Sequence, residues 1–431
     1  MAVRVAIFEV DVTVPLGHSL CGGWIKPAVQ VATPLRGLGF ALVGDEPPVV
    51  IVALDWCGVC NLAHVRMREI LAKAAQTSPE RVALHTVHQH NAPFIDVAAQ
   101  HEVAKYPELP SICDLGWWEN ITAKLAEHLR HSLRQLSLLT HLSCGQARVE
   151  QVASNRRIIG PDGKIRYWRG SSCRDEQARA EPEGTIDPFL KTLIFWSNDR
   201  RLLTLHFYAT HPMSYYGDGI VQSDFVGLAR DRCAREDRSP HIYFTGCAGN
   251  VAAGKYNDGS PQNRPLLAER IYQAMRKAEQ RAERMAVADY RWLVHELFLP
   301  PRPQPDLDTL RATLANRKLT VAARNRAAME LAYRFRAQAQ IPLLLSRLIL
   351  HKDVSLLHLP AEVFVEYQLY AQELHRDRFL AVAAYGDDGP WYIPLKRSFA
   401  EGGYEVSVAF AEPDSEDRLK QSIARLLQPP N

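Results

Sequence analysis

The amino-acid sequence is poor in the features that mark membrane, nucleic-acid-binding and disulfide-stapled proteins. No uncharged apolar run reaches the roughly 18 residues that a membrane-spanning helix needs. A formal net charge of +3 over 431 residues is too small to indicate nucleic acid or an anionic membrane as a partner. Internal repeats and low-complexity segments are also missing. With 47% hydrophobic and 23% charged residues, the composition is typical of an ordinary globular protein.

The first residues, "MAVRVAIFEVDVTVP", contain no apolar block followed by a small-residue cleavage site. Apolar and polar residues alternate instead, so this stretch predicts a first strand rather than a signal peptide. Since a membrane span is missing as well, we expect a cytoplasmic protein. The oligomeric state has no signature in the sequence.

Eight cysteines are scattered along the chain, mostly inside apolar runs, which is typical of buried free thiols rather than a disulfide framework. Cys57 and Cys60 form a CxxC in "LDWCGVC", a spacing also found in redox and zinc half-sites. A second CxxC and a thioredoxin-like pattern are both missing, which favours buried thiols here too.

Predicted strands and helices alternate along most of the chain. The predicted strands cover 3–12, 39–44, 48–56 and the segments "RVALHTVHQH", "LKTLIFWS", "RLLTLHFYATH" and "HIYFTGCAGNVA". The predicted helices cover 62–76, 115–136, 225–236 and 263–282. This interleaving predicts an α/β fold with mixed β-sheets flanked by helices.

The alternation of strand-like and helix-like segments is interrupted at the proline-rich connector "LFLPPRPQP", residues 297–305. The following stretch, about 306–350, is rich in Ala, Arg and Leu and predicts a helical insertion or cap. Strand-like and helix-like segments then return. We therefore expect a single large catalytic domain over residues 1–431 with this insertion inside it, although the length also permits two domains.

The stretch "LHTVHQHNAPF" holds three histidines within six residues. On a strand, His88 and His90 would face one side and His85 the other. An HxH pair supplies two neighbouring imidazoles of the kind that zinc binds, and "NAP" places this pair at the end of a strand. An isolated HxH is more often a hydrogen-bonded strand end, so the pair alone is a weak signal.

Further candidates lie in three later segments. In "HFYATHPMSYYGDG", His211 precedes a proline at a strand exit, whereas His206 within the strand is typical of a core histidine. In "LPAEVFVEYQ", Glu362 is predicted to begin a helix, where a carboxylate commonly complements the helix dipole. The segments "GDDGPWYIP" and "FAEGGYE" carry Tyr392 and Tyr404, which are equally typical of packing aromatics.

The order of these segments resembles that of the neutral/alkaline ceramidase family. The matching motifs, in chain order, are "LHTVHQHNAP", "NRR", "IDPFLKTLIF", "YATHPMSY", "SDFVG", "GCAGNVAAGKYNDG", "LPAE", "YIP" and "AEGGYE". The resemblance covers most of the chain except the 306–350 helices. It implies a zinc-dependent amidase that hydrolyses an N-acyl bond.

The resemblance also implies a role for particular residues of this chain. The implied zinc ligands are His88, His211, Glu362 and Tyr392. The implied catalytic, substrate-contacting residues are His90, Arg156 and Tyr404. His90 would then act as general base and acid, and the guanidinium of Arg156 would bind an anionic or hydroxylated part of the substrate.

The chain departs from the family at one loop. The family carries a serine in "GDVSP", where this chain reads "GNVAA" with Ala252 at the serine position. A zinc-activated water does not need that hydroxyl, so we predict a zinc-dependent hydrolase of a small-molecule or lipid-like amide that is not necessarily ceramide. Two alternatives stay open: a non-catalytic relative that binds a ligand, and a metal-dependent hydrolase or lyase of a small polar molecule.

Overall fold

A computed structural model describes residues 2–428 of the 431-residue chain. The α-helices in this range are α1 Asn61–Ala75, α2 Val97–Val103, α3 Leu115–Ser132, α4 Glu176–Ala180, α5 Asp224–Asp237, α6 Asn263–Gln280, α7 Leu307–Ala315, α8 Val321–Gln338, α9 Val365–Leu374, α10 Lys396–Glu401, α11 Tyr404–Ser407 and α12 Ser415–Leu427. Short 3₁₀ turns cover Cys21–Gly23 and Pro79–Arg81. None of the helices between residues 2 and 428 combines the length and the apolar character that a membrane crossing requires.

The strands of the same range are β1 Arg4–Asp11, β2 Gln30–Val31, β3 Arg36–Val43, β4 Val49–Leu54, β5 Gly58–Val59, β6 Val82–Thr86, β7 Phe94–Ile95, β8 Ser137–Leu138, β9 His141–Arg148, β10 Ser154–Asn155, β11 Arg157–Ile159, β12 Ile165–Trp168, β13 Phe189–Ser197, β14 Arg200–Tyr208, β15 Ile220–Val221, β16 His241–Thr245, β17 Val251–Ala252, β18 Glu283–Ala286, β19 Arg291–Leu297, β20 Leu343–His351, β21 Val354–His358, β22 Glu362–Val363, β23 Phe379–Ala383 and β24 Tyr392–Ile393.

Three larger mixed sheets contain most of the long strands. Their strand orders are β6-β4-β3-β1-β8, β16-β14-β13-β9-β18 and β19-β20-β21-β23. Each is antiparallel except for one parallel pair, namely β4 with β6, β14 with β16, and β21 with β23. Long helices run between these strands in the chain, so the predicted α/β class with mixed, helix-flanked sheets is confirmed.

The carboxyl ends of the three parallel pairs meet. The backbone N–H of Thr86 donates to the carbonyl of Tyr385 over 2.8 Å, and that of Ala384 donates to the carbonyl of Thr245 over 2.9 Å. The hydroxyl of Thr245 donates to the carbonyl of Val87 over 2.7 Å. Loops that leave three different sheets are therefore joined at one place, and the carboxyl ends of parallel strands are a common location for ligand sites.

Local sequence explains the elements around this junction. Every residue of β4, "VVIVAL", is buried, as expected for an apolar, β-branched strand covered on both faces. Helix α3 begins after Asp114, whose carboxylate accepts a hydrogen bond from the N–H of Trp117 over 2.9 Å. Leu125 and Leu129 on the same helix are buried, because they share its apolar face.

The predicted helical segment at 306–350 is shorter in the structure. Helices α7 and α8 occupy its first part, but residues from Leu343 form β20, which pairs with β19 and β21. A leucine-rich run such as "LLLSRLILH" has the same composition in a buried strand as in a helix, so composition misled the prediction. Helix α8 is largely buried, and its Asn325 donates to the carbonyl of Gly22 over 2.9 Å. The assignment of the chain to a single domain stays a prediction.

Candidate metal centre

The HxH pair does not lie on a strand. Strand β6 ends at Thr86, and His88 has a left-handed backbone with φ of 75°. The expectation that the two histidines share a strand face was therefore wrong. Their rings are nevertheless neighbours, with centres 4.9 Å apart, because the chain turns and the Nδ1 of His90 donates to the carbonyl of His88 over 3.1 Å.

His85 is the histidine of this run that does lie on the strand. One ring nitrogen, Nδ1, donates to the carbonyl of Ala384 over 2.9 Å, and Nε2 lies 2.8 Å from Nδ1 of His358. Both ring nitrogens are thus used inside the core. The structural role predicted for His85 agrees with these contacts.

Three side chains from three loops converge beyond the strand ends. The Nε2 of His88 lies 3.3 Å from the Oε2 of Glu362, and the Nε2 of His211 lies 3.1 Å from the same oxygen. The two ring centres are 5.0 Å apart, and all three side chains are buried. We call these three residues the convergent cluster.

Backbone carbonyls decide which nitrogen of each histidine carries the proton. Nδ1 of His88 lies 2.6 Å from the carbonyl oxygen of Cys57, and Nδ1 of His211 lies 2.7 Å from that of Ala248. A carbonyl only accepts, so each Nδ1 donates its proton and each Nε2 of a neutral ring keeps a lone pair. Burial lowers the pKa of His211, which favours its neutral ring.

The carboxylate that both Nε2 atoms face is ionised. Burial alone would raise the pKa of Glu362, but His88 and His211 hold it well below its usual range. Two imidazole Nε2 atoms and an ionised carboxylate oxygen therefore face one another. Among the described residues, the buried Nε2 of His88 has no hydrogen-bond partner. Such a set, with each imidazole backed by a carbonyl on its far side, fits a bound cation.

Glu362 lies in the short strand β22 and not at the start of a helix, as the sequence had predicted. It pairs in register with Tyr392 of β24, and helix α9 begins three residues later at Val365. The carboxamide oxygen of Asn250 accepts the N–H of Val365 over 2.8 Å and so caps that helix. Its amide nitrogen donates to Glu366 over 2.8 Å, so buried Asn250 ties the loop to helix α9.

Position 249 requires glycine because the backbone of its loop lies very close to the backbone of Glu362. A Cβ atom at this position would lie 2.4 Å from the carbonyl oxygen of Glu362, a distance that side chains do not tolerate. The "GCAGN" loop therefore packs backbone to backbone against the strand that carries the carboxylate. This contact sets the distance between His211, whose Nδ1 is held by Ala248, and Glu362.

Unusual backbone conformations gather around the convergent cluster. Four non-glycine residues in or next to its loops have positive φ: His88 at 75°, Ala361 at 64°, Tyr385 at 57° and Trp391 at 58°. Each such residue costs on the order of 1 to 3 kcal/mol. Strain of this kind persists where the surrounding structure holds side chains in a required geometry, which is typical of functional sites.

Tyr392 and Arg156 adjoin the cluster on one side. The Oη of Tyr392 lies 3.4 Å from the Nε2 of His211 and accepts a hydrogen bond from the Nη1 of Arg156 over 3.2 Å. The guanidinium is buried and its Nε lies 3.2 Å from the carboxylate of Glu405. Burial opposes the charge, but Tyr392 and Glu405 raise the pKa of Arg156, so it stays a cation.

Tyr404 lies farther out than the other predicted residues. Its side chain is 41% exposed, and its ring centre is 5.8 Å from that of Tyr392. Trp168 contacts the same ring at 5.6 Å and is similarly exposed. On the other side, half-exposed Tyr216 lies with its ring centre 5.2 Å from that of His90. These aromatic side chains form a rim around the approach to the cluster.

Sequence reasoning missed two residues at this place. Tyr385 stacks on His88 with ring centres 4.4 Å apart, and Glu405 pairs with both Arg156 and Arg157 while fully buried. Tyr385 directly precedes the segment "GDDGPWYIP" that carries Tyr392, and Glu405 ends the segment "FAEGGYE", so both lie in or next to segments that the sequence singled out.

A second group of the same residue types lies inside the sheet that contains β14 and β16. We call His206, His241 and Glu279 the bridged cluster. Nε2 of His241 donates to Asp237 over 3.0 Å, so its Nδ1 accepts from Nε2 of His206 over 2.9 Å. Nδ1 of His206 then accepts from the hydroxyl of Thr192 over 2.9 Å. Every ring nitrogen is thus used, as expected for a core histidine at 206.

Two solved structures with high structural similarity are ceramidases. A ceramidase complexed with C2 superposes with a TM-score of 0.70 at 14% identity, over 99% of this chain and 75% of that one. The neutral ceramidase from Pseudomonas aeruginosa superposes with a TM-score of 0.67 at 14% identity, over 99% and 74% of the two chains. No protein-family model and no curated protein sequence matches the chain. The chain therefore has a ceramidase-like fold, as the sequence motifs predicted.

Proposed function

We propose that the chain is a zinc-dependent hydrolase that cleaves an N-acyl amide bond. The observation that carries the proposal is the convergent cluster, in which two imidazole Nε2 atoms and a carboxylate oxygen meet while a carbonyl anchors the far side of each imidazole. The ceramidase-like fold supports it, since the two similar structures are ceramidases by name. A lipid such as ceramide is one member of the substrate class, which also includes smaller N-acyl compounds.

Zinc is the metal that this donor set favours. Neutral imidazole nitrogen and carboxylate oxygen are common zinc ligands, and the phenol of Tyr392 is close enough to His211 to complete the set. A bound zinc supplies a water of lowered pKa and polarises a carbonyl. The residues proposed to hold it are His88, His211, Glu362 and Tyr392.

His90 is the proposed acid and base. Its Nδ1 donates to the carbonyl of His88, so Nε2 carries a lone pair that can take a proton. Burial, followed by the neighbouring rings of His88 and His211, lowers the pKa of His90 well below its ordinary value, which keeps the ring neutral until it accepts a proton. The same nitrogen would then return the proton to the leaving amine.

Arg156 and Tyr404 are the proposed substrate contacts. The guanidinium of Arg156 lies between the cluster and the rim, 5.6 Å from the ring centre of Tyr404. A buried guanidinium binds a carbonyl, hydroxyl or carboxylate oxygen of a substrate with directed hydrogen bonds. The half-exposed ring of Tyr404 offers an apolar face to the part of the substrate that stays outside.

The loop that carries a serine in ceramidases provides no nucleophile here. Ala252 is fully buried and pairs with Ser154, whose hydroxyl donates to the Ala252 carbonyl over 3.0 Å and accepts the N–H of Lys255 over 3.2 Å. This hydroxyl is committed to holding the two short strands together. The proposal therefore assigns the attack to water.

The test is hydrolysis of a panel of N-acyl amides with acyl chains of increasing length and with polar or apolar amines. We expect turnover that a chelator abolishes and that added zinc restores. His206→Ala is the matched control because it removes a histidine of the bridged cluster, and it should keep activity. A zinc-loaded wild type that binds these amides without releasing amine would instead support the ligand-binding alternative. Turnover confined to short polar amides would support the small-molecule alternative.

A further inference from the structure

A second set of metal-type donors lies beside the convergent cluster. The thiol sulfurs of Cys21 and Cys57 and a ring nitrogen of His90 all lie within 4.8 Å of one another. Both thiols are buried, at 3% and 2% exposure, whereas the histidine is partly open. The eight cysteines form no disulfide, so both sulfurs are free.

The chain brings the two thiols together by anchoring each to the same short segment. The N–H of Cys21 donates to the carbonyl of Ala92 over 2.9 Å, and the N–H of Cys57 donates to the carbonyl of Pro93 over 2.8 Å. The segment that they flank begins with His90. The two thiols are therefore held side by side over the histidine by backbone contacts that do not involve their sulfurs.

The sequence "CGGW" shapes the approach of Cys21. Cys21 itself has φ of 48°, and Gly22 and Gly23 continue in the left-handed region at 74° and 84°. A Cβ atom on Gly23 would lie 2.5 Å from the carbonyl oxygen of Ser111, so the loop accepts only glycine there. This strained loop has no role in the proposed hydrolysis, although it is built as firmly as the loops of the convergent cluster.

The donors and their surroundings suit a soft cation. Nδ1 of His90 is occupied by the carbonyl of His88, which leaves Nε2 with its lone pair. The Cys21 thiol, followed by burial, raises the pKa of Cys57, so the Cys57 thiol stays protonated until a cation displaces the proton. Two thiolates then neutralise a divalent ion, which permits it to lie close to the metal of the convergent cluster.

We propose that Cys21, Cys57 and His90 form a second metal site for a thiophilic divalent cation such as zinc or cadmium. Two sulfurs and one imidazole are the ligand set of three-residue zinc sites, and a water or substrate atom completes the tetrahedron. The CxxC of this chain thus contributes only its first cysteine. Cys60 lies outside the group and belongs to the start of α1.

The second site has a regulatory consequence, which rests on the proposed hydrolase function. A cation held by the ring of His90 takes the lone pair that the proposed acid and base needs. Zinc in excess of one ion per chain should therefore inhibit hydrolysis, by about a hundredfold or more at saturation, since that is the usual contribution of a general acid or base. Cys21→Ser, whose backbone does not contact the convergent cluster, should relieve the inhibition while leaving the rate at one zinc per chain unchanged.

Cadmium is the probe that tests the site without any activity measurement. The full chain is first loaded with one equivalent of zinc and then titrated with Cd²⁺, while the near-ultraviolet absorption of thiolate-to-cadmium charge transfer is recorded. The absorption should saturate at about one cadmium per chain. Cys57→Ser and Cys21→Ser should each lose it, because the cadmium affinity falls by more than about tenfold.

Cys60→Ser is the matched control, since Cys60 is equally buried and lies in the same CxxC. It should keep the absorption. The site would be overturned if the absorption survived in Cys57→Ser or disappeared in Cys60→Ser. It would also be overturned if the purified chain contained a Cys21–Cys57 disulfide and gave no cadmium absorption after that disulfide was reduced.

If the serine variants do not fold, alkylation of the wild type provides the test: cadmium should slow the labelling of Cys21 and Cys57 but not of Cys60. A positive cadmium result with an inactive wild type would refute the hydrolase alone.

Discussion

The convergent and bridged clusters contain the same residue types, two histidines and one glutamate, in one molecule. They differ in what the histidine nitrogens contact. In the convergent cluster, carbonyls accept both Nδ1 protons, and both Nε2 atoms face one carboxylate oxygen. In the bridged cluster, His206 donates to His241, His241 donates to Asp237, and the hydroxyl of Thr192 donates to His206, so no lone pair remains. Donor identity alone therefore does not make a metal site.

The charged neighbours of Glu279 in the bridged cluster also differ from those of Glu362 in the convergent cluster. In the bridged cluster, Arg201 and Arg276 each contact the carboxylate of Glu279 at 3.0 Å, so cations of the protein already fill the place of an ion. In the convergent cluster, Arg156 contacts Glu405, Tyr392 and, over 3.4 Å, Nε2 of His211, and within residues 2–428 it forms no ion pair with Glu362. Only this carboxylate is left to bind an external cation.

The largest expected effect separates the clusters by metal content. His88→Ala removes one of the converging imidazoles and should lose the bound metal. Mutating a residue that only hydrogen-bonds to a metal ligand already lowers metal affinity by about tenfold to a hundredfold, and loss of a ligand should lower it further. His206→Ala removes the corresponding ring of the bridged cluster and should retain about one metal ion per chain. Elemental analysis of both purified variants measures this. Equal metal loss in the two would erase the distinction between the clusters.

The second prediction concerns His90, which adjoins the convergent cluster without belonging to it. His90→Ala should lower kcat by about a hundredfold to ten-thousandfold, the usual contribution of a general acid and base, with the primary metal retained. The measurement is kcat and zinc content on the same preparation. A variant with normal kcat would remove His90 from the chemistry, and a variant without metal would make it a ligand.

The third prediction tests the carboxylate that turns Arg156 away from Glu362. Glu405 is fully buried, and Glu405→Ala should cost about 3 to 5 kcal/mol in the free energy of unfolding, because Arg156 and Arg157 lose their buried partner. Glu401→Ala removes a more exposed partner of Arg157 and should cost about 1 kcal/mol or less. Urea unfolding compares the two. Equal losses would contradict the importance of burial.

The smallest expected effect is a pH dependence of stability that comes from a core histidine. Like the rings of the bridged cluster, His85 is hydrogen-bonded to a second buried histidine, His358. Burial lowers the pKa of His85 to about 4 from 6.5. Between these values the unfolded chain binds a proton that the folded chain does not, so stability falls as pH decreases from 6.5 to 4, by about 3 kcal/mol for this residue. Urea unfolding of wild type and His85→Gln should show a shallower acid loss in the variant. An unchanged slope would contradict this source of acid sensitivity.

The sequence predicted the order of the elements well, because apolar periodicity is a local property. Strand β4 and helix α1 lie within about a residue or two of their predicted bounds. The prediction failed where tertiary contacts decide: the strand expected through His90 ends at Thr86, and residues from Leu343 form a strand. Neither the left-handed turn at His88 nor the pairing of β20 leaves a local trace in composition.

The candidate site was predictable only as a set of motifs. The order of the motifs singled out His88, His211 and Glu362, but their convergence depends on three sheets whose parallel strands end at one place. The sequence could not predict the difference between the convergent and bridged clusters. That difference depends on which groups the histidine ring nitrogens contact in the folded chain. Cys21 was equally invisible beside His90, because 69 residues separate them along the chain.

The most direct test of the account is a crystal structure of the purified chain with diffraction data collected at the zinc absorption edge. We expect an anomalous peak between the Nε2 atoms of His88 and His211 and the carboxylate of Glu362, about 2.0 to 2.1 Å from each nitrogen. We expect no peak between His206 and His241. A zinc-replete crystal with the only peak at the bridged cluster, or with no peak at the convergent one, would contradict the account.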